Sequence, residues 1–168
     1  MNLADYLAAT GSIYLFAVAW PLSKIDIREH RLPNKLVLPA FPITLLSFLA
    51  ASIISSSWVK FYSAIAASII AFCLGLFVNK YFSLGMGDVK LISATTLCLA
   101  WSNLLSPMLA LVLGLAIASL FILLKLIRGR TTLGDAIALG PYLLAGFVCT
   151  QILTWSSCFG GCTPNFLM

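Results

Sequence analysis

The sequence predicts an all-α, polytopic membrane protein: one bundle of about six transmembrane helices, with both termini on the outer side. Three observations predict it. Of 168 residues, 61% are hydrophobic and 9% are charged, where a soluble domain carries about 25% charged residues. No polar stretch is long enough to form a separate soluble unit, so residues 1–168 read as a single membrane domain. The apolar runs are continuous rather than alternating. That pattern argues against a barrel of roughly ten-residue strands and for helices that satisfy their own backbone groups inside lipid.

A span takes about 20 apolar residues, and the runs divide accordingly. The first is Leu3 to Leu22. Its leading "MNLAD" has no base, and Lys24 and Arg28 follow the run. Signal peptides show the opposite order, so this run reads as a retained helix. The second is Leu36 to Ser55, with Pro39 and Pro42 in its opening turns, where proline is tolerated. The third is Phe61 to Val78. The fourth, from Val89 to about Leu105, is short and ends at "WSN" and "SP". The fifth runs from Pro107 to Ile127 and the sixth from Ala136 to Trp155.

Orientation follows from the bases. The side that receives the connections 23–35, 79–88 and 125–135 collects Lys24, Arg28, Arg31, Lys35, Lys80, Lys90, Lys125, Arg128 and Arg130, and the other side holds only Lys60. By the positive-inside rule the basic side is cytoplasmic. These bases serve topology and anionic lipid, and nothing in the pattern calls for nucleic acid. Asp26, Glu29, Asp88 and Asp135 fall on the same side, with Asp5 alone on the other. The polar chemistry of the chain therefore sits at one face.

Two acids stand out there. Asp26, in "SKIDIREHRLPNKL", is expected just after the first helix, and Asp88, in "LGMGDVKL", just before the fourth. Read singly, the first is a loop charge and the second an acid at a helix N-terminus, favoured by the macrodipole. Yet "YFSLGMGD" is mostly apolar, and a carboxylate at a membrane boundary is costly and usually has a functional partner. Gly85 and Gly87 remove side chains where the chain enters a helix, which permits close backbone approach or simply a turn. His30 is the sole histidine, so no Ser-His pair presents itself, and no clear metal cluster or cofactor signature is present. Two carboxylates sharing one proton suffice to split an amide: one activates water and the other donates to the carbonyl oxygen.

Of the five cysteines, Cys73, Cys98 and Cys149 lie inside apolar runs and read as small hydrophobes. Cys158 and Cys162, in "CFGGC", form a disulfide only if that end meets an oxidising compartment.

Together the motifs carry a resemblance. "GMGD" fits the GxGD signature of intramembrane aspartyl proteases. "DIREHRLPN", Asp26 to Asn34, resembles the D-x-R-x-x-R-I-P-N stretch of type IV prepilin peptidases. "GMGDVKL" is similar to that family's second aspartate motif, and "LGPYLLAG", Leu139 to Gly146, to the segment on its last helix. The resemblance implies a membrane endopeptidase that removes leader peptides from prepilins or pseudopilins at the cytoplasmic face of the inner membrane, on substrates with a hydrophobic N-terminal helix. It implies Asp26 and Asp88 as the catalytic pair. Gly85, Gly87, Lys90, Pro33, Asn34, Gly140 and Pro141 would bind substrate or shape the site. Pro33 and Asn34 would aim Asp26 or simply mark a helix start, Lys90 would tune Asp88, bind substrate backbone or snorkel at the interface, and Gly140 with Pro141 would admit a close contact or kink in the last helix or serve ordinary packing. Larger members carry an N-terminal insertion with paired cysteines and methylate the new N-terminus. No cysteine precedes Cys73 here, so the chain resembles the short, peptidase-only branch of Flp/Tad pilus systems.

Two other readings compete. A small proton- or ion-coupled transporter would use the same acids as a relay, near the membrane midplane. An assembly subunit of an envelope machine would need neither aspartate.

Overall fold

The computed structural model describes residues 3–29, 32–82, 84–128 and 138–159, with no side-chain account of Phe82 or of residues 157–159. The described residues form α1 (Leu3–Glu29), a single turn α2 (Asn34–Val37), α3 (Ala40–Ser55), α4 (Trp58–Phe82), α5 (Met86–Ala100), α6 (Ser106–Ile127) and α7 (Gly140–Phe159). All six expected helices are present, and no strand occurs among the described residues. Four segments, Leu3–Glu29, Asn34–Ser55, Trp58–Tyr81 and Ser106–Ile127, are long and apolar enough to cross a membrane.

Boundaries differ from expectation where polarity was taken for helix ending. α1 continues past Leu22 because no glycine or proline interrupts "SKIDIRE"; charges mark the lipid boundary without stopping a helix. The second run is divided, because Pro39 caps α3 and separates it from α2. α5 starts at Met86 and stops at Ala100, after which Ser102 and Asn103 donate to the Leu99 carbonyl in a turn. α7 begins at Gly140 rather than at 136.

Three helix pairs pack intimately, α1 with α3, α4 with α5, and α6 with α7, and α5 lies at the centre, touching every other element. Of its 15 residues, ten are buried. That explains its length: a helix encased in protein need not match the roughly 20 residues of a lipid-facing span. Lipid tails are as apolar as leucine, so close approach at small residues supplies much of the association. On α6, Ala110, Gly114 and Ala118 form the buried stripe. A Cβ on Gly146 of α7 would collide with the Ala110 carbonyl and lie 2.5 Å from the Gly114 nitrogen. Between α4 and α5, Ser68 and Ser93 each donate to the other's carbonyl at 3.0 Å. Leu15, Leu22, Val37, Leu91, Leu144 and Phe147 belong to a core beneath one end of the bundle. Phe48, Leu97 and Trp101 belong to another at the opposite end.

Candidate active site

The end of α1, the segment before α2, and the first turns of α5 and α7 meet at one end of the bundle. The buried stripe of α1 runs through Ala4, Ala8, Ser12, Leu15, Val18 and Leu22 to Asp26. These three- and four-residue steps keep one helix face inward. The carboxylate therefore occupies a core position, 4% exposed. The expectation of a loop residue after the helix is corrected: the same periodicity that buries Leu22 buries Asp26.

Asp26 Oδ2 accepts a hydrogen bond from the backbone N–H of Gly140 at 3.0 Å. Gly140 opens α7, so that N–H is one of the donors a helix leaves unpaired, and the carboxylate sits at the favourable end of the macrodipole. A Cβ on Gly140 would lie 2.6 Å from the same oxygen; only glycine leaves room for it. Pro141 follows at a position where no N–H is needed. These two residues start the last helix instead of kinking it.

Asp88 is the third residue of α5, inside its first turn rather than ahead of it. Its side chain folds back, so that a Cβ on the N-cap residue Gly85 would lie 2.9 Å from Asp88 Oδ2. The Asn79 side-chain amide donates to the Leu84 carbonyl and ties the end of α4 to this turn. Asp88 precedes the apolar run of α5 and lies outside the membrane-spanning segments. Burial, and secondly the charge of Asp26, push its carboxyl up to about 6 from 3.8. The two aspartates are therefore within electrostatic reach of each other.

The other predicted residues divide. Lys90 Nζ donates to Asn34 Oδ1 at 2.9 Å, so it clasps α2 to α5 rather than pairing with Asp88. Pro33 is the N-cap of α2, with φ −68 and ψ 122. Gly87 faces Leu32: a Cβ there would lie 2.7 Å from Leu32 Cβ. The gap left by this glycine is thus filled by the protein's own side chain. Asp135 and Cys162 lie outside the described residues, as does the Cys158 side chain. Leu32 and Asn79 were not singled out from sequence. Leu32 had only its place inside "DIREHRLPN" to mark it, and no motif marked Asn79.

An apolar cavity of about 600 Å³ opens between α4 and α6, floored by Ile92 and Thr96 of α5. Ile70, Leu74 and Val78 form one wall and Met108, Leu111 and Leu115 the other. It also reaches Leu84 and Leu139, the chain neighbours of the two glycines that touch the carboxylates. Among the described residues, no group of three or more His, Cys, Asp or Glu is placed to hold a metal ion. The two carboxylates differ in their surroundings: that of Asp26 holds a backbone donor, and that of Asp88 is inclined to keep a proton.

Residues 13–127 match the Type IV leader peptidase family. The chain is also 33% identical, over 154 residues, to the prepilin leader peptidase/N-methyltransferase of Escherichia coli strain K12, an alignment covering 88% of this chain and 66% of that one. The chain thus spans just under two thirds of that relative's length. No solved structure matches. The chain belongs to the type IV leader peptidase family.

Proposed function

We propose that the chain is a membrane-embedded aspartyl endopeptidase that removes the leader peptide of type IV prepilins, of the Flp type, at the cytoplasmic face of the inner membrane. The observation that carries this reading is that Asp26 and Asp88, from two separate helices, lie at one corner of the bundle: Leu32 sits against both Gly87, the neighbour of Asp88, and Gly140, whose N–H holds Asp26. The basic loops support the cytoplasmic side. A relay across the membrane is poorly served by acids near the helix ends: Asp26 lies in the last turn of α1 and Asp88 in the first of α5.

The roles follow from the surroundings. Asp26, held at Oδ2 by the Gly140 N–H, acts as the base and takes a proton from water. The water oxygen bonds to the scissile carbonyl carbon while the Asp88 O–H donates to the carbonyl oxygen, giving a tetrahedral diol. Collapse breaks the C–N bond, the leaving nitrogen takes a proton from the protonated Asp26, and a diol hydroxyl returns its proton to Asp88. No cofactor enters these steps. The apolar cavity beside Leu84 and Leu139 suits a hydrophobic substrate helix, whose polar leader would then lie over the carboxylates. A helical peptide bond hides its carbonyl, so the segment at the scissile bond is extended when cut. Methyl transfer, named beside peptidase activity for the Escherichia coli relative, is not proposed for this chain.

The test is cleavage of a co-expressed Flp-type prepilin by the wild type, Asp26→Asn and Asp88→Asn, with membrane levels measured by blot. The reading expects cleavage by the wild type and none by either variant at equal abundance. Near-normal cleavage by either variant removes it.

A further inference from the structure

Leu32 sits half-buried where three elements meet. A Cβ on Gly87 would lie 2.7 Å from Leu32 Cβ and 3.3 Å from its Cδ1, and one on Gly140 would lie 3.2 Å from its Cδ2. One branch of the leucine thus rests on the residue before Asp88. The other rests on the residue whose N–H holds Asp26.

The segment behind Leu32 is anchored. Pro33 fixes its own φ at −68 and its carbonyl accepts from the Leu36 N–H at 3.1 Å. Asn34 is held by Lys90 from α5 at 2.9 Å. Tyr14 of α1 donates through its hydroxyl to the Leu36 carbonyl at 3.0 Å, and Val37 is 1% exposed in the core. A side chain so supported does not yield easily when pressed from either side.

On the two-aspartate reading above, we infer that Leu32 is a positioning residue, a spacer between the first turns of α5 and α7 that sets the gap between the carboxylates of Asp26 and Asp88. The gap matters for two reasons. Carboxylates that are too close leave no place for the attacking water, and carboxylates too far apart no longer share one proton. A misplacement of about 1 Å can cost roughly a hundred-fold in rate. The two glycines differ in what presses on them. The three atoms nearest a Cβ at Gly87 all belong to Leu32, its own Cβ first at 2.7 Å, whereas at Gly140 the nearest is Asp26 Oδ2. Removing the Leu32 side chain, Cβ included, should therefore relieve a Cβ added at Gly87 and fail to relieve one added at Gly140.

The experiment compares kcat and KM, per folded enzyme in detergent, for Leu32→Gly, Gly87→Ala, Gly140→Ala and the two double variants. Gly87→Ala is expected to lose about ten-fold or more in kcat at little-changed KM. Adding Leu32→Gly, which removes the Cβ that the new methyl would meet, is expected to restore part of that loss, and to restore none of the loss in Gly140→Ala. A Gly87→Ala/Leu32→Gly double no better than Gly87→Ala overturns the inference, and so does equal rescue at both glycines. A second readout needs no activity: disulfide formation between Asp26→Cys and Asp88→Cys, in a chain with its own cysteines replaced. Leu32→Ala should change the cross-linking rate several-fold, while Leu15→Ala, an equal truncation in the core, leaves it alone. An unchanged rate in Leu32→Ala also overturns the spacer. Retained cleavage in Asp26→Asn or Asp88→Asn is a different failure, that of the two-aspartate reading.

Discussion

The seam between α6 and α7 and the corner between α1, α5 and α7 both depend on glycine, for opposite ends. At the seam, the space left by Gly146 is taken by backbone: the Ala110 carbonyl and the Gly114 nitrogen. At the corner it is taken by side chains: Asp88 over Gly85, Leu32 over Gly87 and Asp26 over Gly140. The first use draws two helices together where lipid offers little drive for association. The second makes room for carboxylates at helix starts, where unpaired N–H groups and the macrodipole favour negative charge. One residue type thus serves packing in one region and chemistry in the other. The difference can be tested by asking which property each substitution removes.

The largest effect is expected at the corner. Asp26→Asn should abolish cleavage while leaving the protein folded, because the Asn Oδ1 can still accept the Gly140 N–H. Cleavage rate and melting temperature in the same detergent check both halves of that statement. Gly140→Ala should follow, with a loss on the order of a hundred-fold and a small change in melting temperature, since its Cβ presses on Asp26 Oδ2 and Leu32. Gly146→Ala should reverse the pattern. Its Cβ meets backbone that cannot rotate away, so stability should fall by several kcal/mol, as for overpacking without relief. Activity should fall only with the amount of folded protein. If Gly140→Ala proves a folding defect and Gly146→Ala a catalytic one, the division between the regions is wrong.

Titration sharpens the comparison further. Asp88 is held up to about 6, first by burial and second by the charge of Asp26. If the pair works with one shared proton, cleavage should decline as pH rises above about 6, when Asp88 loses it. A carboxyl whose value is higher folded than unfolded favours the folded state when protonated, so stability falls as pH rises from 3.8 to about 6. Asp88→Asn should therefore melt higher than the wild type above that window and equally below it. Melting curves at several pH values decide this. Because burial is the larger cause, Asp26→Asn should lower the Asp88 titration only in part.

Much of this was legible in the sequence. Continuous apolar runs, the one-sided bases and the two aspartate motifs gave the helices and marked Asp26 and Asp88 on one side of the membrane. What was not legible was the helix register at the boundaries. Reading α1 as ending at Leu22 hid the step of four that takes the buried stripe on to Asp26. Gly140 was visible as a motif glycine, but its partner lies at the far end of the chain, and nothing local says that a carboxylate fills its empty side. Lys90 illustrates the same limit. Two residues from Asp88 in sequence, it turns to Asn34 instead, because in a helix residues two apart face different directions. Leu32 carries no chemical signal at all, and only the meeting of three elements gives it a role.

The smallest expected effect lies between the two regions, where α4 meets α5. Ser68 and Ser93 exchange hydrogen bonds with each other's carbonyls at 3.0 Å, and their hydroxyl oxygens are 2.9 Å apart. In a soluble core, removing one member of such a pair would strand its partner. Here each carbonyl is also part of a helix, so losing the serine hydroxyl leaves it bonded. Interhelical hydrogen bonds of this kind in membranes average about 0.6 kcal/mol. Ser68→Ala should therefore lower the melting temperature by a degree or two at most and leave cleavage unchanged. α4 is the least buried of the four spans beside α6, with 17% of its apolar window inside the protein. It is also a wall of the apolar cavity. A much larger loss of activity than of stability in Ser68→Ala would mean that the α4–α5 contact tunes the first turn of α5, and with it Asp88. The boundary between packing region and chemical region would then have to be drawn one helix farther out.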